Sequence, residues 1–379
     1  MDVVVTGIGL ASALGNLEAS WNGLVEGRSG IRPCQPFLDL EPKPLALINH
    51  QPAKLVPLTQ KIVLEALQDA GLKLPLSDCG VVVGSSRGNQ AEWEKLSRQL
   101  YLEDESTLLK SWLKTLPNAA AIAAAALLQT CAPVLSPMAA CATGIWAIAQ
   151  GYELIRSGQC QRVIAGAVEA AITPLTLIGF DRMGALAKTG CYPFDMDREG
   201  LVLGEGGAIL VLESAAIAND RGAKIYGQIL GVGLTADGHH VSAPEPESKA
   251  AIAAARQCLQ RSHLSPQDID YIHAHGTSTR LNDRNEAHLI QQLFPSGVPV
   301  SSTKGATGHT IGASGALGAA FCLLALKHKT LPPCVGLKSP EFDLDFVRTA
   351  RSTAAENALC FSFGFGGQNA AIALGVNSD

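Results

Sequence analysis

The stretch SPMAACATGIW, Ser136–Trp146, sets a lone cysteine, Cys141, among small residues just before an apolar run. Val134 and Leu135 read as a short strand ahead of it, and Gly144–Ser157 as a helix behind it. A cysteine in the first turn of a helix feels the positive end of the backbone dipoles, which favours thiolate over thiol. Ala139, Ala140, Ala142 and Gly144 leave room for a substrate carbonyl to approach. Taken alone, a cysteine is more often a small buried hydrophobe. The stretch therefore gains its meaning from what surrounds it.

Upstream, Val3–Val5 is a β-branched run ending in TGIG, which reads as a buried strand followed by a turn. The third glycine of a GxGxxG fingerprint would fall at Ser12, so dinucleotide binding is set aside. Helical spacing follows at Leu17–Val25 and at Thr59–Ala70, the latter closing on Gly71. Val81–Val83 reads as a second strand, Ala119–Leu128 as an alanine-rich helix and Arg162–Ala165 as a strand. Downstream, strands fall at Lys224–Gly231, Ile269–His275 and Val298–Ser301, and helices at Lys249–Arg261 and Gly312–His328. The alternation predicts an α/β protein with mostly parallel sheet. Strand, polar loop and small-residue helix occur twice, one copy beginning at Cys141 and the other at His309, which points to an internal duplication. No low-complexity linker separates the halves, so they are expected to pack tightly.

Composition narrows the function classes. Of 379 residues, 47% are hydrophobic and 17% charged, which suits a large buried core and argues against disorder. A net charge of −5 supplies no basic field for nucleic acid. The ten cysteines form no CxxC pair, which argues against zinc ribbons and thioredoxin-like redox motifs. No signal peptide is apparent, and the apolar run Ala119–Leu128 falls well short of the ~20 residues a membrane span needs. These features predict a cytoplasmic protein with reduced thiols and no membrane partner.

Three further stretches carry chemistry. In HAHGTSTRLNDRNE, His273–Glu286, His275 ends a predicted strand and precedes three hydroxyl residues. Strand ends feeding loops are where α/β proteins place their sites. Thr277 and Thr279 alternate, so both hydroxyls can face one side. In SSTKGATGHTIGASGALGAA, Ser301–Ala320, Lys304 and His309 straddle two glycines without forming a Walker phosphate loop. In FSFGFGGQNA, Phe361–Ala370, alternating Phe and Gly suggest a tight loop whose N–H groups could bind an oxyanion. Read singly, each has a bland alternative: a structural histidine, a surface lysine, a helix cap or a glycine hairpin.

Taken in order, AACATG, AHGTST, STKxxTGH and SFGFGGQN, with an early VVVTGIG and a middle PFDMDREGLVLGEG, resemble the elongating β-ketoacyl-acyl carrier protein synthases from Val3 to Ala370. The resemblance implies the thiolase fold, with duplicated halves, residues 1–222 and 223–379, in a five-layered α-β-α-β-α sandwich. It implies an acyltransferase. Cys141 would take an acyl chain from a carrier-protein thioester. A malonyl thioester would then lose CO2 and attack the acyl-cysteine, giving 3-oxoacyl-acyl carrier protein in fatty-acid elongation. His275 and His309 match the imidazole pair that donates to the enolate oxygen. The N–H groups of Cys141 and Phe365 match the oxyanion hole. Lys304 matches a buried cation paired with Glu286, which spares an unpaired buried charge; Asp283 is a supporting residue of the same stretch. Thr277 and Thr279 match contacts to the pantetheine arm, Phe365 also a gate, Phe180 in IGFDRMGAL an acyl-pocket position, and Gly364 the substrate-binding loop. No metal or resident cofactor is implied, because phosphopantetheine arrives on the acyl carrier protein. The resemblance also implies a homodimer.

Two histidines with one cysteine separate this pattern from the initiating and plant-type synthases, which carry Cys, His and Asn, and from thiolases, which use a second cysteine. Chain-length factors usually lack the active cysteine, which this chain keeps. The chain also departs from the pattern. The segment ahead of Thr59 is shortened to NHQPAKLVPLTQK, with Lys54 and Lys61 as its basic residues, which weakens the expected docking patch for an acidic carrier. The loop Ala187–Tyr192 is short, Phe361 stands where asparagine is common, and His273 stands where asparagine or glutamate is usual. A regular strand would put His273 and His275 on one face. His239 and His240 read as surface residues after a DG turn. Two alternatives accompany the leading reading: a polyketide-type ketosynthase with an unusual acyl substrate, and a structural partner resembling a chain-length factor.

Overall fold

The structure, a computed structural model, describes residues 1–102 and 112–376. The first half runs β1 (Val3–Ser12), β2 (Gly15–Asn16), α1 (Leu17–Val25), β3 (Arg32–Cys34), β4 (Lys43–Leu45), α2 (Leu55–Asp69) and β5 (Gly80–Gly84). It continues through α3 (Gln90–Leu102), α4 (Ala119–Leu128), β6 (Val134–Leu135), α5 (Thr143–Arg156), β7 (Arg162–Glu169), α6 (Pro174–Arg182) and β8 (Gly206–Ser214). α7 (Ala215–Asp220) closes the first half, and the second half runs β9 (Gly227–Ala236), α8 (Lys249–Arg261), β10 (Tyr271–His273), α9 (Arg280–Leu293) and β11 (Val300–Ser301). It ends with α10 (Lys304–Thr307), α11 (Ser314–His328), β12 (Thr330–Leu331), β13 (Arg351–Ser352), β14 (Asn357–Gly364) and β15 (Gln368–Gly375).

The main sheet has the order β11-β10-β14-β15-β9-β1-β8-β7-β5-β6. Its middle joint is thin, since β1 meets β9 only through Val3–Val5 against residues 227–229. The pairings mirror each other about that joint. β5 is parallel to β6 and β7, as β10 is to β11 and β14. β7–β8 and β8–β1 are antiparallel, as are β14–β15 and β15–β9. The sheet is therefore mixed rather than mostly parallel. The long apolar runs that read as lone strands fold back on antiparallel neighbours, whose pattern is apolar on both faces because both are covered.

α5 and α11 form the middle layer, packed against each other and against strands of both half-sheets. α2 and α4 cover the outer face of the first half-sheet, α8 covers that of the second, and α9 shares a buried cluster with β10, β11 and β14. Three buried clusters fill the spaces between the layers. The result is the five-layered α-β-α-β-α order. The stretch Ile311–His328 has a mean hydropathy of 1.4, but 89% of it is buried as this central layer.

Small residues explain the close central packing. A Cβ on Gly144 would collide with the backbone nitrogen of Ala316, and one on Gly315 would lie 2.8 Å from Ile145 Cγ1. The two contacts are reciprocal: 144 meets 316, and 315 meets 145. A turn with positive φ precedes each helix, at Ala140 (φ 46) and at Ile311 (φ 45). The duplication thus pairs Cys141 with Gly312, rather than with His309 as the polar-loop spacing suggested.

Other boundaries shift for physical reasons. TGIG is not a turn: β1 runs on to Ser12, and a Cβ on Gly7 would lie 2.5 Å from the Ala66 carbonyl of α2. α2 begins at Leu55 rather than Thr59, with Pro57 in its first turn, where a missing N–H costs nothing. β10 stops at His273, short of the expected His275.

Candidate active site

Cys141 sits on a sharp turn before α5. Ala140 takes positive φ, and Thr143 Oγ1 donates to the Ala140 carbonyl at 2.7 Å while accepting from Ala139 N–H at 2.9 Å. A small residue at 140 lowers the cost of that conformation. Ser362 Oγ donates to the Cys141 carbonyl at 2.9 Å, tying the turn to β14. The thiol is 6% exposed. Burial pushes it up to about 12, opposed by the Lys304 charge and by hydrogen bonds from the N–H groups of Phe365 and of Cys141 itself. Burial therefore outweighs the helix position that was expected to favour thiolate.

The two distant histidines converge on this sulfur. Cys141 Sγ and one ring nitrogen each from His275 and His309 all lie within 4.8 Å of one another. The imidazoles meet edge to face, with centroids 5.3 Å apart. Burial first, and then the Lys304 charge, hold both well below the usual histidine range, so both are neutral at neutral pH. His309 is gripped by its backbone, which donates to Val202 O at 2.7 Å and accepts from Gly204 N–H at 3.0 Å. Its Nδ1 lies 2.9 Å from Ser314 Oγ.

His275 is held from both sides. Glu286, on α9, accepts from the N–H groups of His275 at 2.6 Å and Gly276 at 2.7 Å. Lys304 Nζ donates to the His275 carbonyl and lies 3.3 Å from its Nδ1. The expected Lys304–Glu286 pair is thus not a direct contact among the described residues. The two charges flank one peptide segment and act on each other through it. Burial lowers the Lys304 ammonium, with Glu286 opposing, and burial raises the Glu286 carboxyl. Asp283 accepts from Phe194 N–H at 2.8 Å and Ser278 N–H at 3.2 Å, and Arg198 Nε lies 3.7 Å away. It therefore ties the PFDMDREG segment to the loop after His275.

These groups open into a cavity of about 420 Å³. Thr277 and Thr279 line it with hydroxyls 2.9 Å apart, as their alternation predicted. Phe180 on α6 and Phe365 stack across it, with centroids 6.1 Å apart. Phe365 heads the short turn joining β14 to β15, where Gly364 pairs with Gln368. A Cβ on Gly364 would lie 2.7 Å from Ala139 O and 3.0 Å from Cys141 N. Only glycine leaves that space open. Among the described residues, Arg280, 67% exposed at its side chain, lines this cavity, whereas Lys54 and Lys61 do not.

Residues without an assigned role now have surroundings. His273 Nε2 lies 3.0 Å from Thr303 Oγ1 and its Nδ1 3.7 Å from Cys360 Sγ. The strand ends there, so His273 and His275 meet different partners. Phe361 is buried and stacks on Phe363. His240 Nδ1 accepts from Ser242 and Ala243 N–H and orders a loop that lines the cavity. The short loop after Ala187 is pinned by Glu199, which accepts from Lys188 and Thr189. Sequence reasoning missed Ser314, Ser362 and Glu205. Glu205 accepts from Ile48 at 3.0 Å and Ala53 N–H at 2.8 Å, holding the shortened segment beside the strip that grips His309. Ser314 alone had a visible signal, five residues after His309 in GHTIGAS.

Two family descriptions match the chain: Beta-ketoacyl synthase, N-terminal domain, over residues 49–218, and Beta-ketoacyl synthase, C-terminal domain, over residues 226–338. The 3-oxoacyl-[acyl-carrier-protein] synthase 2 of Synechocystis sp. is 35% identical, covering 98% of this chain and 97% of its own. The mitochondrial 3-oxoacyl-[acyl-carrier-protein] synthase of Arabidopsis thaliana is 34% identical, covering 98% and 92%. Among solved structures, a type II PKS acyl-carrier protein in complex with its ketosynthase bound to the hexaketide matches with TM-score 0.94 at 26% identity, covering 99% of both chains. A beta-ketoacyl synthase from Burkholderia phymatum matches with TM-score 0.92 at 28% identity, covering 100% of both.

Proposed function

This chain belongs to the β-ketoacyl synthase family, with its thiolase fold, and from that premise we propose decarboxylative Claisen condensation as its reaction. It is an acyltransferase of fatty-acid elongation, joining an acyl chain held on Cys141 to malonyl-acyl carrier protein and releasing 3-oxoacyl-acyl carrier protein. One observation carries the assignment of roles: a cysteine sulfur and two neutral imidazoles within 4.8 Å, bordered by the Gly364–Phe365 turn.

In the loading step, Cys141 sulfur attacks the carrier thioester carbonyl, and the N–H groups of Cys141 and Phe365 receive the developing oxyanion. The thiol proton passes to His309. Its Nδ1 neighbour, Ser314 Oγ, can donate or accept, so the ring can hold its proton on either nitrogen. The carrier thiol then leaves with that proton. In the second step the malonyl thioester oxygen lies between the two rings. His275, whose Nδ1 accepts from Lys304, carries its proton on Nε2 and acts as a donor. The C–CO2 bond breaks and the enolate is held by the donors. Its carbon attacks the acyl-cysteine, forming the C–C bond as the S–C bond breaks, and Cys141 leaves as a thiolate that takes up a proton from solvent. Thr277, Thr279 and Gly364 fit the pantetheine arm, and Phe180 and Phe365 the acyl chain and its gate.

A homodimer belongs to the same proposal. β6 is an edge strand whose Val134 and Leu135 are 41% and 39% exposed, a feature that favours pairing with a second copy. The ten thiols are all free, which fits the proposed cytoplasmic setting. A polyketide-type substrate is favoured by one observation, the 0.94 TM-score to a polyketide ketosynthase, but the more similar curated relatives are 3-oxoacyl-[acyl-carrier-protein] synthases. Chain-length profiling separates the two. Acyl-carrier thioesters of several lengths are incubated with the protein and acylation at Cys141 is read by mass spectrometry; malonyl carrier is then added. Saturated chains should load and give 3-oxoacyl product, and Cys141→Ala should abolish loading. His309→Ala should keep its fold and lose condensation. Failure of every thioester to load overturns the reading.

A further inference from the structure

Glu169 ends β7, fully buried, and the reaction above does not use it. Its carboxylate accepts five hydrogen bonds. Ser85 Oγ and Arg87 N donate to Oε1 at 2.7 and 3.2 Å; Ser86 N, Ser86 Oγ and Gly312 N donate to Oε2 at 2.9, 2.8 and 3.0 Å.

The duplication explains this cage. β7 and β14 are equivalent eight-residue strands, and Glu169 and Gly364 close their ladders with the neighbouring antiparallel strand. Ala140 and Ile311 share the positive-φ turn, so Gly312 stands where Cys141 stands in the other half. In the open half, Gly364 leaves the space before the Cys141 N–H empty, and a Cβ there would lie 3.0 Å from that nitrogen. In the other half, the side chain from the equivalent position fills the same space, and its oxygen bonds the Gly312 N–H. A Cβ on Gly312 would lie 2.6 Å from Glu169 Oε2.

We infer that the Glu169 carboxyl group fills the second, closed copy of the oxyanion site, and that through Gly312 N–H it is a positioning residue for His309. Gly312 lies in the one-turn helix Ile311–Ala313, between His309 and its partner Ser314. The inference rests on the proposed condensation, and its geometry makes a distinction that simple support of the core does not. A Gln at 169 can direct its one carbonyl oxygen at Ser86 and Gly312 and forfeit Arg87. An Asp keeps the carboxyl group but withdraws it from Gly312 by one methylene.

The test compares Glu169→Gln and Glu169→Asp with wild type in three readouts: Cys141 loading from an acyl-carrier thioester, malonyl decarboxylation, and thermal unfolding. Glu169→Gln should decarboxylate within a few-fold of wild type. Glu169→Asp should lose on the order of 10²-fold in decarboxylation, the loss typical of a displaced catalytic group, and loading should slow with it, because His309 also takes the thiol proton. Equal decarboxylation in the two variants, or Asp above Gln, overturns the inference, as does a loss of decarboxylation in Glu169→Asp with loading at the wild-type rate. A variant that unfolds where the other stands is scored the same way, Asp surviving in place of Gln being an overturning result. Wild type that neither loads nor decarboxylates would instead overturn the proposed function.

Discussion

Lys304 and His275 are joined twice, through Lys304 Nζ to the His275 carbonyl and across 3.3 Å to its Nδ1. The lysine thereby holds the ring's proton on Nε2, the atom left free to face the cavity. Lys304→Met removes that constraint and leaves a buried carbonyl unpaired, which costs about 1–3 kcal/mol. Decarboxylation should fall by roughly 10²–10³-fold, the scale of losing one oxyanion donor. Loading of Cys141 should fall much less. Stopped-time mass spectrometry of both half-reactions checks this; an equal fall in both would place Lys304 in the loading step.

Burial holds His275 and His309 well below the usual imidazole range. The unfolded chain takes up those two protons near pH 6.5, while the folded chain does not. The stabilising contribution is therefore present above that pH and is lost as pH falls below it. Condensation per folded molecule should hold between about pH 7.5 and 6 while the melting temperature drops. A turnover midpoint near 6.5 with no change in melting temperature would contradict neutral, buried imidazoles.

Gly364 leaves the approach to Cys141 clear. A methyl at 364 would sit 2.7 Å from Ala139 O and 3.0 Å from Cys141 N, inside the space assigned to the oxyanion. Gly364→Ala should slow loading by on the order of 10²-fold, as one lost oxyanion contact does. Loading at the wild-type rate would remove the oxyanion hole from this turn.

Gly144 lets α5 and α11 cross closely. Gly144→Ala gains about 1 kcal/mol of helix propensity but drives a methyl into the backbone of Ala316. Backbone cannot rotate aside, so overpacking of about 1–3 kcal/mol wins. The melting temperature should fall; a rise would mean that the helices separate freely.

The architecture was largely legible because its signals are local. Apolar runs marked strands, small-residue stretches marked the central helices, and four ordered motifs marked the site residues around Cys141. What was not legible depends on contacts between distant segments. TGIG reads as a turn until Ala66 packs on Gly7, and β10 reads through to His275 until Glu286 and Lys304 pull that segment out of the ladder.

The sequence by itself determined which residue types are present and in what order: one cysteine at a helix mouth, two histidines after strand ends, and glycines where backbone must approach backbone. Only the tertiary structure decided their chemical states. Lys304 bonds His275 rather than Glu286, and burial rather than the helix dipole governs the Cys141 thiol. Glu169 and Gly364 stand at equivalent positions, one closing its half of the duplicated fold and the other leaving its half open. Spacing along a chain carries periodicity, but charge, burial and vacancy are properties of space, and they exist only once Gly144 and Ala316, far apart in the chain, lie against each other.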